Sequence, residues 1–248
     1  MPKETRLQIT IIGSQQHGKT YWSEKYAEHY ARTKGNVLVY NYGRNTDYSE
    51  HNEFKVLSIA EHKTVVGDEY NENEIFLFSY KGRIRHFRDF NKLFVKKRLR
   101  LKRIKDRKVE RLFFDAIFLY IHSTLVIKDD VRPIFKYGMQ EQAINLYSRR
   151  DHTGEFSSVK SGIGVDVILQ FHSADSVPEE AYIYFTHLLL FRCVDLPKLT
   201  KVTSVILKNA MFETFKTLSN PDLVKWTAKL INLSPVKYCE ISDATFRE

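Results

Sequence analysis

Few folds are open to a chain that carries Gly13-Ser14-Gln15-Gln16-His17-Gly18-Lys19-Thr20. These eight residues match G-x-x-x-x-G-K-[ST] in full, the pattern of a loop that wraps phosphate between a strand and a helix. Both flanks fit. Leu7 to Ile12 reads as a buried strand. Tyr21 to Arg32 reads as a helix, with Tyr21, Trp22, Tyr26, Ala27 and Tyr30 near helical spacing. Gly13 and Gly18 permit backbone angles that let several N–H groups converge on one anion. The helix N-terminus aims further unpaired N–H groups at the same place. Lys19 adds a point charge for the β- and γ-phosphates, and Thr20 a hydroxyl ligand for Mg²⁺. The whole stretch Gly13 to Thr20 is therefore expected to grip a nucleoside triphosphate.

Such a loop needs carboxylates for the metal and for the attacking water. Ser123-Thr124-Leu125-Val126-Ile127-Lys128-Asp129-Asp130 supplies them, as an apolar β-branched run ending in two acids. It reads as a central strand that delivers those acids to the carboxyl edge of a sheet, where open α/β sheets place ligands. Asp129 is assigned to the Mg²⁺ shell, through water, and Asp130 to orienting or deprotonating the attacking water. Lys128 interrupts an otherwise apolar strand, and the second acid is the shorter Asp rather than Glu.

Composition narrows the class. The chain has 248 residues, 43% hydrophobic and 28% charged, enough for one large α/β domain. The longest apolar runs, Ala116–Ile127 and Tyr182–Phe191, are broken by His122 and His187 and fall short of a membrane helix. The polar start Met-Pro-Lys-Glu-Thr-Arg shows no secretory signal. Cys193 and Cys239 have no metal-ligand spacing and suit a reducing compartment. The net charge of +9 is concentrated in residues 96–108, which hold nine bases (Lys96, Lys97, Arg98, Arg100, Lys102, Arg103, Lys105, Arg107 and Lys108) against Asp106. That is a footprint for a polyanion, nucleic acid first, with an acidic membrane surface or protein as alternatives. Leu101, Ile104, Val109, Leu112, Phe113, Ala116 and Ile117 lie near helical spacing, so the basic run is expected to open a long amphipathic helix within residues 89–121.

Further elements follow from pattern. Asn36 to Tyr40 reads as a strand. Phe54 to Ile59 is a short apolar run within a polar, loop-like stretch. Glu74 to Tyr80 and Ile84 to Phe87, around Lys81-Gly82-Arg83, read as a hairpin. Met139 to Arg150 reads as a helix and Asp151 to Gly164 as a loop. Val165 to Phe171 reads as a buried strand, and Leu188 to Arg192 as another. Glu179–Thr186, Val202–Leu218 and Pro221–Ile231 read as helices, and Val236–Ile241 as a last edge strand. Strands alternating with helices predict an α/β fold with a mostly parallel sheet, in a single domain 1–248 whose part from about 199 to 248 is helical with an edge strand.

The order of these pieces is a phosphate loop, a strand ending Asp-Asp, a helix ending Arg149-Arg150, then the strand Val165–Phe171 running into His172. That order resembles the FtsK–HerA superfamily of P-loop ATPases. Within it, the chain looks most like small viral DNA-packaging ATPases and the related Zot-like phage assembly ATPases. The resemblance covers roughly residues 5 to 195. It implies an ASCE-type sheet and Mg²⁺-dependent ATP hydrolysis at the interfaces of a homo-oligomeric ring, commonly a hexamer. It also implies double-stranded DNA driven through the central channel, a capsid portal or vertex protein as partner, and a place in the host cytoplasm or at the virion vertex. His172 falls where the family often carries a Gln sensor of the γ-phosphate, with Gln170 as the alternative. Arg150 or Arg149 falls where a finger completes a neighbour's site. A membrane-anchored export ATPase, a nucleotide switch and a small-molecule kinase are the competing classes. The absence of a membrane run weighs against the first, and the absence of Asn-Lys-x-Asp against a GTPase switch.

Overall fold

A computed structural model describes residues 6–41, 55–57, 77–80, 83–94, 96–102, 110, 120–129, 164–224, 227–233 and 239–243. The strands are β1 (Gln8–Ile12), β2 (Asn36–Asn41), β3 (Lys55–Leu57), β4 (Leu77–Tyr80), β5 (Arg83–His86), β6 (Arg98–Lys102), β7 (Thr124–Asp129), β8 (Val165–Phe171), β9 (His187–Phe191), β10 (Ala228–Leu233) and β11 (Cys239–Asp243). Among the described residues, α1 (Lys19–Thr33) and α2 (Val205–Leu218) are α-helices. Nine strands hydrogen-bond in the order β11-β10-β9-β1-β8-β7-β2-β6-β3, while β4 and β5 pair as a separate antiparallel hairpin. The predicted mostly parallel sheet with flanking helices is therefore present.

The chain forms two compact units. One holds Met1–Arg6, Glu24–Ile127 and Arg149–Asp166, and the other Leu7–Ser23, Lys128–Ser148 and Val167–Glu248. In the second, β1 is parallel to β8 on one side, with Gln8 opposite Val167 and Ile12 opposite Phe171, and to β9 on the other, with Ile9 opposite His187. All five residues of β1 are buried, as expected of a parallel strand covered on both faces. β10 and β11 extend this unit antiparallel beyond β9. Helix α2 starts at the cap Ser204, whose hydroxyl accepts from the Leu207 N–H, and buries Leu207, Met211, Phe215 and Leu218. In the first unit, β2, β6 and β3 run parallel to one another. The core there includes Val37, Leu38, Val39, Tyr40, Leu99 and Leu101, and the Tyr40 hydroxyl is bonded to the buried Glu110 carboxylate.

Several elements differ from the sequence expectation. Among the described residues of 89–121, the predicted amphipathic helix does not include the start of the basic run. Phe87–Leu93 is a 3₁₀ segment and Arg98–Lys102 is the strand β6, while Glu110 and Tyr120 are helical. The local pattern explains this. Arg98-Leu99-Arg100-Leu101-Lys102 alternates strictly, so Leu99 and Leu101 share one buried face while Arg98 and Arg100 share the other. The predicted helix over Pro221–Ile231 is also absent, because Ala228–Leu233 pairs with β9 and tertiary pairing overrides a helix-compatible composition. The loop-like Phe54–Ile59 run contributes β3, and the predicted helix Glu179–Thr186 shortens to a 3₁₀ turn over Glu179–Ile183 after Pro178. The predicted helix Met139–Arg150 and most of the loop Asp151–Gly164 lie outside the described residues.

Candidate active site

The phosphate loop leaves the carboxyl end of β1 and is tied to both neighbouring strands at once. The Gly13 N–H donates to the Phe171 carbonyl at the end of β8 (3.2 Å). The Ser14 N–H donates to the Arg192 carbonyl just past β9 (3.1 Å), and Ser14 Oγ accepts from the Val194 N–H at 2.9 Å. Gly13 is needed for space: a Cβ there would stand 2.6 Å from the Phe191 Cβ. The left-handed backbone angles fall instead on Gln16 (φ 61°) and Gly18 (φ 93°). Left-handed residues of this kind are how a loop brings backbone N–H groups together on one anion.

Helix α1 begins at Lys19, and the Trp22 N–H closes its first turn on the Gly18 carbonyl at 2.9 Å. No acidic residue occupies that first turn, so the positive end of the helix dipole is left for an external anion. The Lys19 ammonium is nearly buried and donates to the carbonyls of Gly13 and Ser14, each at 2.6 Å. Those two bonds hold the charge across the loop's own mouth. Behind it, the buried Gln170 amide donates to Ser23 Oγ (2.8 Å), which in turn donates to the Thr20 carbonyl (3.0 Å). This relay fixes the first turn of α1, and with it Thr20, to strand β8.

The acidic strand stands next but one to β1, with β8 between them, which is the additional-strand arrangement that the ASCE resemblance implies. Asp129 is the last residue of β7; its side chain, and all of Asp130, Arg149 and Arg150, lie outside the described residues. Lys128 is buried. His172 follows the end of β8 in a bend and is half-buried. Cys193 lies buried beside the loop. Burial pushes its thiol up to about 11, against the opposing pull of the Lys19 ammonium. In the first unit, Lys96 and Lys97 are exposed, with left-handed φ of 46° and 64°, and lead into β6. Arg98 is half-buried and Arg100 buried on that strand, Lys102 ends it, and Arg103, Lys105, Arg107 and Lys108 lie outside the described residues.

Sequence reasoning missed Ser23, Phe191 and the Arg192–Val194 segment. Ser23 was findable as a small polar residue one turn beyond Lys19 on α1. Nothing local joins Ser14 to Val194 across 180 residues.

No protein-family profile and no curated protein sequence matches the chain. Solved structures do match over nearly its full length. The genome packaging NTPase B204 of Sulfolobus turreted icosahedral virus 2 superposes with a TM-score of 0.57 in its sulfate complex, at 14% identity over 98% of each chain. Its AMPPCP complex gives 0.58 at 13% identity, over 95% of this chain and 96% of that one. B204 described as the DNA-packaging ATPase of Sulfolobus turreted icosahedral virus gives 0.52 at 14% identity, over 94% and 95%. The chain has the P-loop NTPase fold found in these viral packaging proteins.

Proposed function

We propose that this protein is an ATP-hydrolysing motor that moves double-stranded DNA through a homo-oligomeric ring during viral genome packaging. The observation that carries the reading is the loop Gly13–Thr20, set at the carboxyl end of β1, with a strand ending in Asp129 next but one to it. The fold shared with the packaging NTPases, which were crystallised with ATP analogues and sulfate, gives this site its context.

In this reading the loop N–H groups and the start of α1 bind the β- and γ-phosphates, and Lys19 turns its ammonium from the loop carbonyls to phosphate oxygens. Mg²⁺, which prefers oxygen ligands, would be held by the Thr20 hydroxyl and, through water, by the Asp129 carboxylate, and would offset phosphate charge. The fixed position of Thr20 on the Ser23–Gln170 relay fits such a ligand. Asp130 orients the attacking water and draws off its proton. His172 takes the sensor role at the γ-phosphate, because the Gln170 amide already braces α1 through Ser23. Arg150 or Arg149 completes a neighbouring subunit's site by stabilising charge in the transition state. The basic run from Lys96 to Lys108 contacts the DNA backbone, through the exposed Lys96 and Lys97 rather than the buried Arg100, and a portal or vertex protein receives the ring. Among the described residues no helix is long and apolar enough to cross a membrane.

The test is the ATPase rate with and without double-stranded DNA, alongside the mass of the protein with nucleotide bound. Stimulation by DNA together with a ring is expected. A monomer that ignores DNA and phosphorylates a small acceptor would overturn the proposal.

A further inference from the structure

The strand order around the loop gives the bound nucleotide a direction. In the reading above, chemistry at the γ-phosphate runs at the carboxyl end of β7, and β7 stands beyond β8 from β1. A triphosphate whose γ-end points to that side must carry its nucleoside away on the other side, toward β9. The loop after β9 has two features that suit it to receive the base. Its backbone is locked to the phosphate loop, through Ser14 N–H to the Arg192 carbonyl and Val194 N–H to Ser14 Oγ. It also exposes aliphatic side chains without an evident folding role: Val194 is 81% and Leu196 48% exposed, between the buried anchors Cys193 and Leu199. Tyr21, 55% exposed, follows Thr20 in the first turn of α1. Three of the eight large hydrophobics exposed among the described residues thus sit on the two segments that bracket the loop. Apolar surface left in water beside a phosphate loop, with a few polar groups to orient the ligand, is the usual make-up of a nucleotide site.

The geometry points to Val194 and Leu196 as the wall against which the base of the bound nucleotide lies, with Tyr21 flanking it from the helix side. This rests on the phosphate-loop reading above and adds the end of the ligand that the loop does not hold. Apolar contact with a ring face is sequence-tolerant, so the wall contributes affinity for any base while the phosphates set the register.

The experiment compares ATP with inorganic tripolyphosphate, which keeps the phosphates and lacks the base. Both are titrated, with Mg²⁺, into the wild-type chain and into Val194→Ser/Leu196→Ser. These side chains are largely exposed, so the variant keeps its core, and its circular dichroism and melting curve verify that. ATP affinity is expected to fall about tenfold in the variant, consistent with losing partial burial of two aliphatic side chains. Tripolyphosphate affinity is expected to stay within twofold. Tyr21→Ser should show the same split with a smaller loss. Unchanged ATP affinity in Val194→Ser/Leu196→Ser would overturn the inference, and so would an equal loss for both ligands, which would mean a damaged loop. Failure of the wild type to bind tripolyphosphate would count instead against the phosphate loop itself.

Discussion

Replacing Gly13 by Ala should separate two strand ends that the phosphate loop depends on. The new Cβ would lie 2.6 Å from the Phe191 Cβ and 3.3 Å from Phe191 backbone atoms. Carbon atoms pack at about 3.5–4.0 Å, so the ends of β1 and β9 must move apart by about 1 Å. The Ser14–Arg192 backbone bond, now 3.1 Å, would then stretch beyond hydrogen-bonding range. Overpacking costs about 1–3 kcal/mol and the lost bond about 0.5–1.5 kcal/mol, so Gly13→Ala should destabilise the fold by about 2–4 kcal/mol. Urea unfolding would read this as a lower midpoint at unchanged slope. The cause can be isolated with a second substitution. Phe191→Ala keeps the clashing Cβ and Phe191→Gly removes it. Both changes also remove the buried Phe191 ring, at about 3–5 kcal/mol, so each double variant is read against its own Phe191 single variant. Gly13→Ala should cost its full amount beside Phe191→Ala and clearly less beside Phe191→Gly, which lacks the clashing Cβ. A Gly13→Ala midpoint equal to wild type, or a Gly13→Ala cost as large beside Phe191→Gly as beside Phe191→Ala, would refute the reasoning.

Three further outcomes are expected. Gln170→Leu should break the relay to Ser23 and Thr20; ATP turnover should fall about tenfold and the Mg²⁺ requirement rise, whereas an unchanged Mg²⁺ dependence would detach the relay from the metal. The Cys193 thiol, held at about 11 against an ordinary 9, should resist iodoacetamide at pH 8 in a Cys239→Ser chain and react at least tenfold faster once unfolded in urea. Because its folded pKa is the raised one, its contribution is complete below about pH 9 and is lost as pH rises toward 11. Urea midpoints should therefore fall through that window more in wild type than in Cys193→Ala. Lys96→Glu/Lys97→Glu should lower the salt slope of DNA binding by about 2, since two exposed cations would stop displacing counterions; an identical slope would remove this end of the basic run from the DNA contact.

What could be read from the sequence depended on how local the cause was. The phosphate loop, β1, α1, β8 and β9 follow from a motif, a 3.6-residue spacing and short apolar runs, all decided within a few residues. The basic run misled because a wide window found helical spacing from Leu101 to Ile117, while five residues, Arg98–Lys102, alternate as a strand. β10 was hidden because Ala-Lys-Leu-Ile-Asn-Leu suits helix and strand alike, and only pairing with β9 decides it. At the site, the motif marked the residues of the loop but not why Gly13 is glycine. That answer lies in Phe191, on a strand far along the chain, as does the Val194 bond to Ser14.

The central claim is that Lys19, set across the loop by the Gly13 and Ser14 carbonyls, neutralises the phosphates during ATP cleavage. Its most direct test is Mg²⁺-dependent phosphate release by Lys19→Ala beside the wild type, with both shown to be folded. Turnover by the wild type and a loss of about a hundredfold or more in the variant are expected. Equal turnover in the two proteins would contradict it.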